Sequence, residues 1–128
     1  MRVILLLVLV LFSAVSRGQD YVAYHQQLNE AKLLAVNGEF GAATQLFEIT
    51  FREFDFKYAR DCVHAVETAT LARDTALLNY FIQCGLKQGI PLSYFQEKAG
   101  LEWFVKTDSW ADLLMSADSL SQLYKGSI

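Results

Sequence analysis

Apolar residues recur along this chain at spacings of three and four, which is the pattern of helices that bury one face. Four such segments lie between residues 21 and 87, and the apolar–polar alternation that is typical of strands is absent. The pattern therefore predicts an all-α chain. The positions predicted to face inward are Tyr21, Tyr24, Leu28, Ala31, Leu34, Phe40, Ala43, Phe47, Phe51, Ala59, Cys62, Val63, Val66, Ala69, Leu78, Phe81, Ile82, Gly85 and Leu86.

The helical segments repeat with a period near 35 residues, seen when Gly38 is placed on Arg73. A repeat of this length that contains two helices indicates tandem helical hairpins. The same register pairs Ala31 with Val66, Leu34 with Ala69, Glu39 with Asp74, Ala43 with Leu78, Phe47 with Ile82 and Thr50 with Gly85. Gly38 is expected to form the turn of the first hairpin, and Asp74 is expected to cap the second helix of the next.

One further period leads to Asp108, where "TDSWADLLMSADSL" has the pattern of a helix that begins at a cap. Trp110, Leu113 and Leu114 are predicted to face the core. The expected architecture is thus all-α, with two antiparallel helical hairpins followed by a degenerate C-terminal helical unit over residues 91–124.

Small residues are predicted where the axes of paired helices approach, namely Ala31 and Ala43, while Phe40 and Phe47 fill the space toward the next hairpin. Gly41 lies early in a helix, where glycine costs roughly 1 kcal/mol against alanine. That loss is tolerable if packing requires the glycine.

The first residues, "MRVILLLVLVLFSAVSRGQD", have the basic, apolar and small-residue regions of a secretory signal peptide. Cleavage is predicted after Gly18, or after Ser16, so that residues 1–18 form the signal peptide and 19–128 the mature domain. The alternative, an uncleaved anchor, is disfavoured because the apolar run is too short to span a bilayer. We therefore expect an exported protein, either periplasmic or secreted, without stable membrane insertion after cleavage.

Charge narrows the range of partners. Loss of Arg2 and Arg17 with the leader changes the net charge from −3 to −5, and no run of lysine or arginine is present. Nucleic acid and anionic membranes are therefore poor partners. The two cysteines, Cys62 and Cys84, either form a disulfide, which an oxidising compartment permits, or act as small core residues.

"NGEFGAATQLF", with Ala31 before it, resembles the tetratricopeptide repeat family. That family has a small residue in its first helix, Gly-Asp/Glu-Tyr/Phe at the turn, and alanine followed by an aromatic residue in its second helix. The chain supplies Ala31, Gly38-Glu39-Phe40, Ala43 and Phe47 at these places. The resemblance implies a helical-hairpin fold, and it says almost nothing about function.

The C-terminal part resembles the closing segment of exported bacterial tetratricopeptide proteins. The matching positions are Gln88-Gly89-Ile90, Leu101, Phe104, Asp108, Trp110 and Leu113-Leu114. The resemblance as a whole covers most of residues 21–115. It implies a small exported bacterial protein of this type.

No residue pattern predicts a catalyst. Cys62 and His64 are two positions apart, so on a helix they point about 200° away from each other and cannot share a ligand. His64 is expected at the surface or its boundary, and His25 in solvent. The glycines lack the lysine and the serine or threonine of a phosphate-binding loop. We expect no enzyme activity, no cofactor and no metal.

We expect instead a protein that binds another protein or a peptide in the cell envelope. Such arrays expose the first helix of each hairpin on a concave face, which by the repeat register would include His25, Lys32, Arg60 and Glu67. A helical-hairpin array with fewer than three full repeats is usually only marginally stable. The chain is therefore expected either to form a homodimer or to be stabilised by a partner that contacts Trp103 and Phe104.

The alternative is a carrier or sensor for a small apolar or glycan ligand, held in an internal pocket lined by aromatic residues. An enclosed cavity would favour it, and a solid core with an open groove would favour the binding protein. In "FREFDFKY", Phe54, Phe56 and Tyr58 either cover the core or form an exposed contact patch. Covering the core is the favoured interpretation.

Overall fold

Helices make up most of the computed structural model, which describes residues 20–126 except for the side chains of residues 121 and 123–126. The predicted signal peptide, residues 1–18, lies outside the described residues. No strand occurs between residues 20 and 126, so the predicted all-α class is confirmed. The elements are α1 (20–36), α2 (Phe40–Glu53), α3 (Ala59–Ala72), α4 (Thr75–Lys87), α5 (Leu92–Gln96), a 3-10 helix (Phe104–Lys106) and α6 (Asp108–Gly126).

The turns of the two hairpins have the same backbone geometry, as the 35-residue register predicts. Gly38 and Arg73 both adopt positive φ, +82° and +54°. The N–H of the residue that follows each donates to a carbonyl of the preceding helix, to Leu34 at 2.9 Å in the first turn and to Ala69 at 3.2 Å in the second. Left-handed residues of this kind commonly close helices. The Asp74 carboxylate then caps α4 by accepting a backbone N–H at 3.1 Å.

The core runs between the hairpins and into the C-terminal unit. Ala31 and Ala43 have no exposed surface, in agreement with the prediction that small residues lie where helices approach. Phe47, Phe51 and Phe81 are buried and contact one another edge to face, with ring centroids 5.6–6.3 Å apart. Such pairs add stability beyond the area that they bury.

At several positions the burial seen in the structure differs from the burial predicted from the sequence. No atom would lie within 4 Å of a Cβ added at Gly41, so packing does not require this glycine. Tyr21 and Ala59, at the ends of their predicted stripes, are exposed. Leu114 is exposed, whereas Trp110 and Leu113 are buried. The face of α6 that meets the core therefore passes through 110 and 113 and leaves 114 outside.

The C-terminal unit is degenerate, because short helices stand where the first helix of a third hairpin would lie. Helix α5 has only five residues, and its buried Phe95 lies against Gly85 of α4. Helix α6 packs against α4 and begins at Asp108, as predicted. None of the helices within residues 20–126 combines the length and apolar character needed to cross a membrane.

Candidate functional site

An open groove of about 290 Å³ lies between α1, α2 and α3. Helix α1 contributes Lys32, Ala35 and Val36 to its wall. The opposite wall is formed by residues of α3, and two phenylalanines of α2 complete the surface. These further lining residues are His64, Glu67, Thr68, Leu71, Phe40 and Phe47.

The repeat explains why these residues meet. Lys32 and Glu67 are 35 positions apart, and so are Val36 and Leu71. Equivalent faces of two first helices therefore form the two walls. Within each wall, the two residues are about one turn of helix apart. Val36 is 83% exposed and Leu71 is 61% exposed, so the groove presents apolar side chains to solvent.

Both charged residues of the groove are already paired. Lys32 Nζ lies 3.3 Å from the carboxylate of Asp61, and Glu67 lies 2.8 Å from Lys98 Nζ. Asp61 is buried in the first turn of α3, where the helix dipole favours a negative charge, and it also accepts the Tyr24 hydroxyl at 2.9 Å. Since these pairs satisfy the charges, the free binding capacity of the groove is mainly apolar.

Burial, followed by the bond to Asp61, raises the pKa of Tyr24 far above its ordinary value of 10.0. The phenol therefore remains a hydrogen-bond donor throughout the physiological range. This network ties α1 to α3 and fixes Lys32 at the edge of the groove.

The predicted site residues occupy different places. Lys32 and Glu67 line the groove, whereas Arg60 is exposed and does not line it. Trp103 is half-buried, with its ring 5.3 Å from the Arg73 guanidinium carbon. Phe104 is fully buried against Trp110 and is therefore not available to a partner in this structure.

His25 was expected in solvent, and that expectation is wrong. Its ring is half-buried, 4.4 Å from Tyr21 edge to face and 5.9 Å from Tyr58 in a stacked arrangement (centroid distances). Its Nε2 atom is buried and has no hydrogen-bond partner among the described residues. The 35-residue register identified the helix faces, but it could not place this aromatic cluster, because Tyr58 belongs to a connection between hairpins.

Among the lining residues that were not predicted as site residues are His64, Val36 and Leu71. The available signal was the register itself, since advancing one turn from Lys32 and Glu67 leads to Val36 and Leu71. His64 is half-buried at the boundary, as expected, and its place in the groove depends on how α3 packs beside α1.

The two cysteines are free and buried. Burial is the main reason that the pKa of Cys62 is raised to about 12, and burial also raises the pKa of Cys84. Because the thiolate is the nucleophile, neither thiol is activated at neutral pH. Within the described chain, no group of three or more His, Cys, Asp or Glu side chains could hold a metal ion.

A second depression, an open cleft of about 550 Å³, lies where the start of α1 meets the connection between α2 and α3. Phe54 is buried there, Phe56 is half-buried and Tyr58 is 43% exposed. This connection therefore covers the core through Phe54, as predicted. The rings of Phe56 and Tyr58 also line the cleft.

No protein-family model matches the chain, and neither a curated protein nor a solved structure gives a significant match. Functional inference therefore depends on the groove and the cleft themselves.

Proposed function

We propose that this protein is a non-enzymatic adaptor of the tetratricopeptide repeat type, exported to the bacterial cell envelope, that binds a segment of another protein in the groove between α1 and α3. The segment inserts apolar side chains between Val36 and Leu71. The observation that carries this proposal is the groove with two exposed apolar walls at equivalent repeat positions.

Exposed apolar surface with a polar rim is typical of binding surfaces. Lys32 and Glu67 are held by Asp61 and Lys98, so they position the edges of the groove and select weakly for charge. The groove, of about 290 Å³, is open to solvent, so side chains of an extended or helical peptide can enter it.

The carrier alternative has less support. It requires aromatic residues around an enclosed space, but Phe47, Phe51 and Phe81 are packed against one another in the core. Both depressions described here open to solvent. The export part of the proposal depends on the leader pattern of residues 1–18.

Affinity capture from the native envelope, with the mature chain as bait, tests the proposal. Leu71→Asp places a charge in the groove, and Leu33→Asp is its matched control, because Leu33 is also 61% exposed but does not line the groove. We expect a captured protein to be lost with Leu71→Asp and retained with Leu33→Asp. Equal melting temperatures would show that both variants fold alike. Capture of no protein, or equal loss with both variants, would refute the proposal.

A further inference from the structure

The cleft beside α1 combines aromatic rings with carboxylates. Tyr21, Phe54, Phe56 and Tyr58 line it, together with the acidic residues Asp20, Glu53 and Asp55. Of the described residues, none that lines the cleft is basic. Its volume of about 550 Å³ lies within the usual range for small-molecule sites, about 300–1,000 Å³.

The rings have different orientations around this space. Phe56 is nearly parallel to Tyr21, at an interplanar angle of 27°, and lies at 60° to Tyr58, with centroid distances of 6.5 Å and 6.3 Å. His25 does not line the cleft, but its ring packs against both tyrosine rings. The faces of aromatic rings attract cations through their quadrupoles.

The cleft is lined by three carboxylates. No ion pair within the described residues involves Asp20, Glu53 or Asp55, and Glu53 accepts only the Gln27 amide at 3.2 Å. The nearby Lys57 instead donates to the Phe54 carbonyl at 3.3 Å and does not line the cleft.

We infer that this cleft is a binding site for a small organic cation that carries a quaternary ammonium group. The aromatic faces contact the methyl groups, which need no hydrogen-bond acceptors, and the three carboxylates supply long-range attraction. A primary ammonium would be drawn by the same charge, but it would have to give up hydration to contact the rings. The site is separate from the groove between α1 and α3 and does not depend on the proposed adaptor function.

Three probes that share a hydroxyethyl group separate these contributions. They are choline, ethanolamine, which lacks the three methyl groups, and 3,3-dimethylbutan-1-ol, which is the neutral analogue of choline. The full chain is titrated with each at constant ionic strength, and binding is followed by NMR shifts of the backbone amides of residues 53–58. We expect choline to bind more tightly than both other probes, by about tenfold or more over the neutral analogue. Ethanolamine binding as tightly as choline would overturn the assignment, because simple charge attraction would then suffice. Equal binding of the neutral analogue would overturn it as well.

Variants locate the site. Tyr58→Leu should weaken choline binding by about two- to thirtyfold. Tyr94→Leu is its matched control, because Tyr94 is equally exposed, at 43%, but lies in α5 away from the cleft. Asp55→Asn should weaken binding by up to about fivefold, with a loss that shrinks as salt is added. Exposed Asp112, in α6, provides the matched charge control Asp112→Asn.

Equal affinities for Tyr58→Leu and Tyr94→Leu, in chains with unchanged melting temperatures, would refute the site. Tyr58→Phe provides a second measurement, since it retains the ring and removes only the hydroxyl. We expect it to bind choline within about twofold of the unmodified chain. A loss as large as that of Tyr58→Leu would exclude a role for the aromatic face.

Discussion

Gly85 lies in close contact with α5. A Cβ at this position would lie 2.7 Å from Cζ and 3.2 Å from Cε2 of Phe95, and 3.4 Å from Cδ1 of Ile90. Ordinary carbon contacts are about 3.5–4.0 Å, so Gly85→Ala forces the ring to move. Phe95 has no exposed surface and cannot swing into solvent. Overpacking of this kind typically costs about 1–3 kcal/mol of the free energy of unfolding.

Gly41 provides the matched control. It is also a helical glycine within one turn of the end of its helix, but no atom lies within 4 Å of an added Cβ. Alanine lowers the backbone entropy that is lost on folding, and this gain is up to about 1 kcal/mol in either helix. The difference between Gly85→Ala and Gly41→Ala therefore isolates the steric cost at Phe95.

Thermal unfolding of the two variants measures this difference. A change of 1 kcal/mol shifts the melting temperature of a domain of this size by roughly 4 °C. We expect Gly41→Ala to melt at or above the unmodified chain, and Gly85→Ala to melt about 4–12 °C below Gly41→Ala. Adding Phe95→Leu to Gly85→Ala should restore part of the loss in a double-mutant cycle. Equal melting temperatures for the two alanine variants would refute close packing of α5 against α4.

Three further predictions concern the fold and the groove. Tyr24→Phe leaves the buried Asp61 carboxylate short of one donor, so urea unfolding should show a loss of about 1–3 kcal/mol, and an unchanged midpoint would contradict the network. Because the folded pKa of Cys62 is raised from its ordinary value of 9.0 to about 12, its stabilising contribution is complete below pH 9 and is lost as the pH rises toward 12. Under reducing conditions, stability should fall by about 2 kcal/mol between pH 8.5 and 10.5 on account of this thiol, and the same fall in Cys62→Ala would contradict it. Gly38→Ala places a Cβ at φ +82° and should lower the unfolding free energy by about 1 kcal/mol, whereas an unchanged value would show that the turn relaxes.

The sequence by itself determined the local structure and the repeat. Spacings of three and four fixed the faces that α2 and α4 bury, because a helix places such residues on one side. Gly38 marked a turn because glycine adopts positive φ without a steric penalty. Because the 35-residue register aligns Arg73 with Gly38, it predicts the same turn at Arg73, although no glycine stands there. In the structure, the N–H of the next residue donates to an equivalent carbonyl in both turns.

The tertiary structure alone decided which surfaces are available for binding. Leu33 and Leu71 are equally exposed, but only Leu71 lines the groove, because the relative packing of α1 and α3 sets their neighbours. His25 is half-buried, and not solvated as predicted, because the ring of Tyr58, 33 positions later in the chain, packs against it. Hydrophobic periodicity reports whether a position is buried by its own helix face. It carries no information about which distant residue will lie beside it, since that depends on the axes and rotations of whole helices.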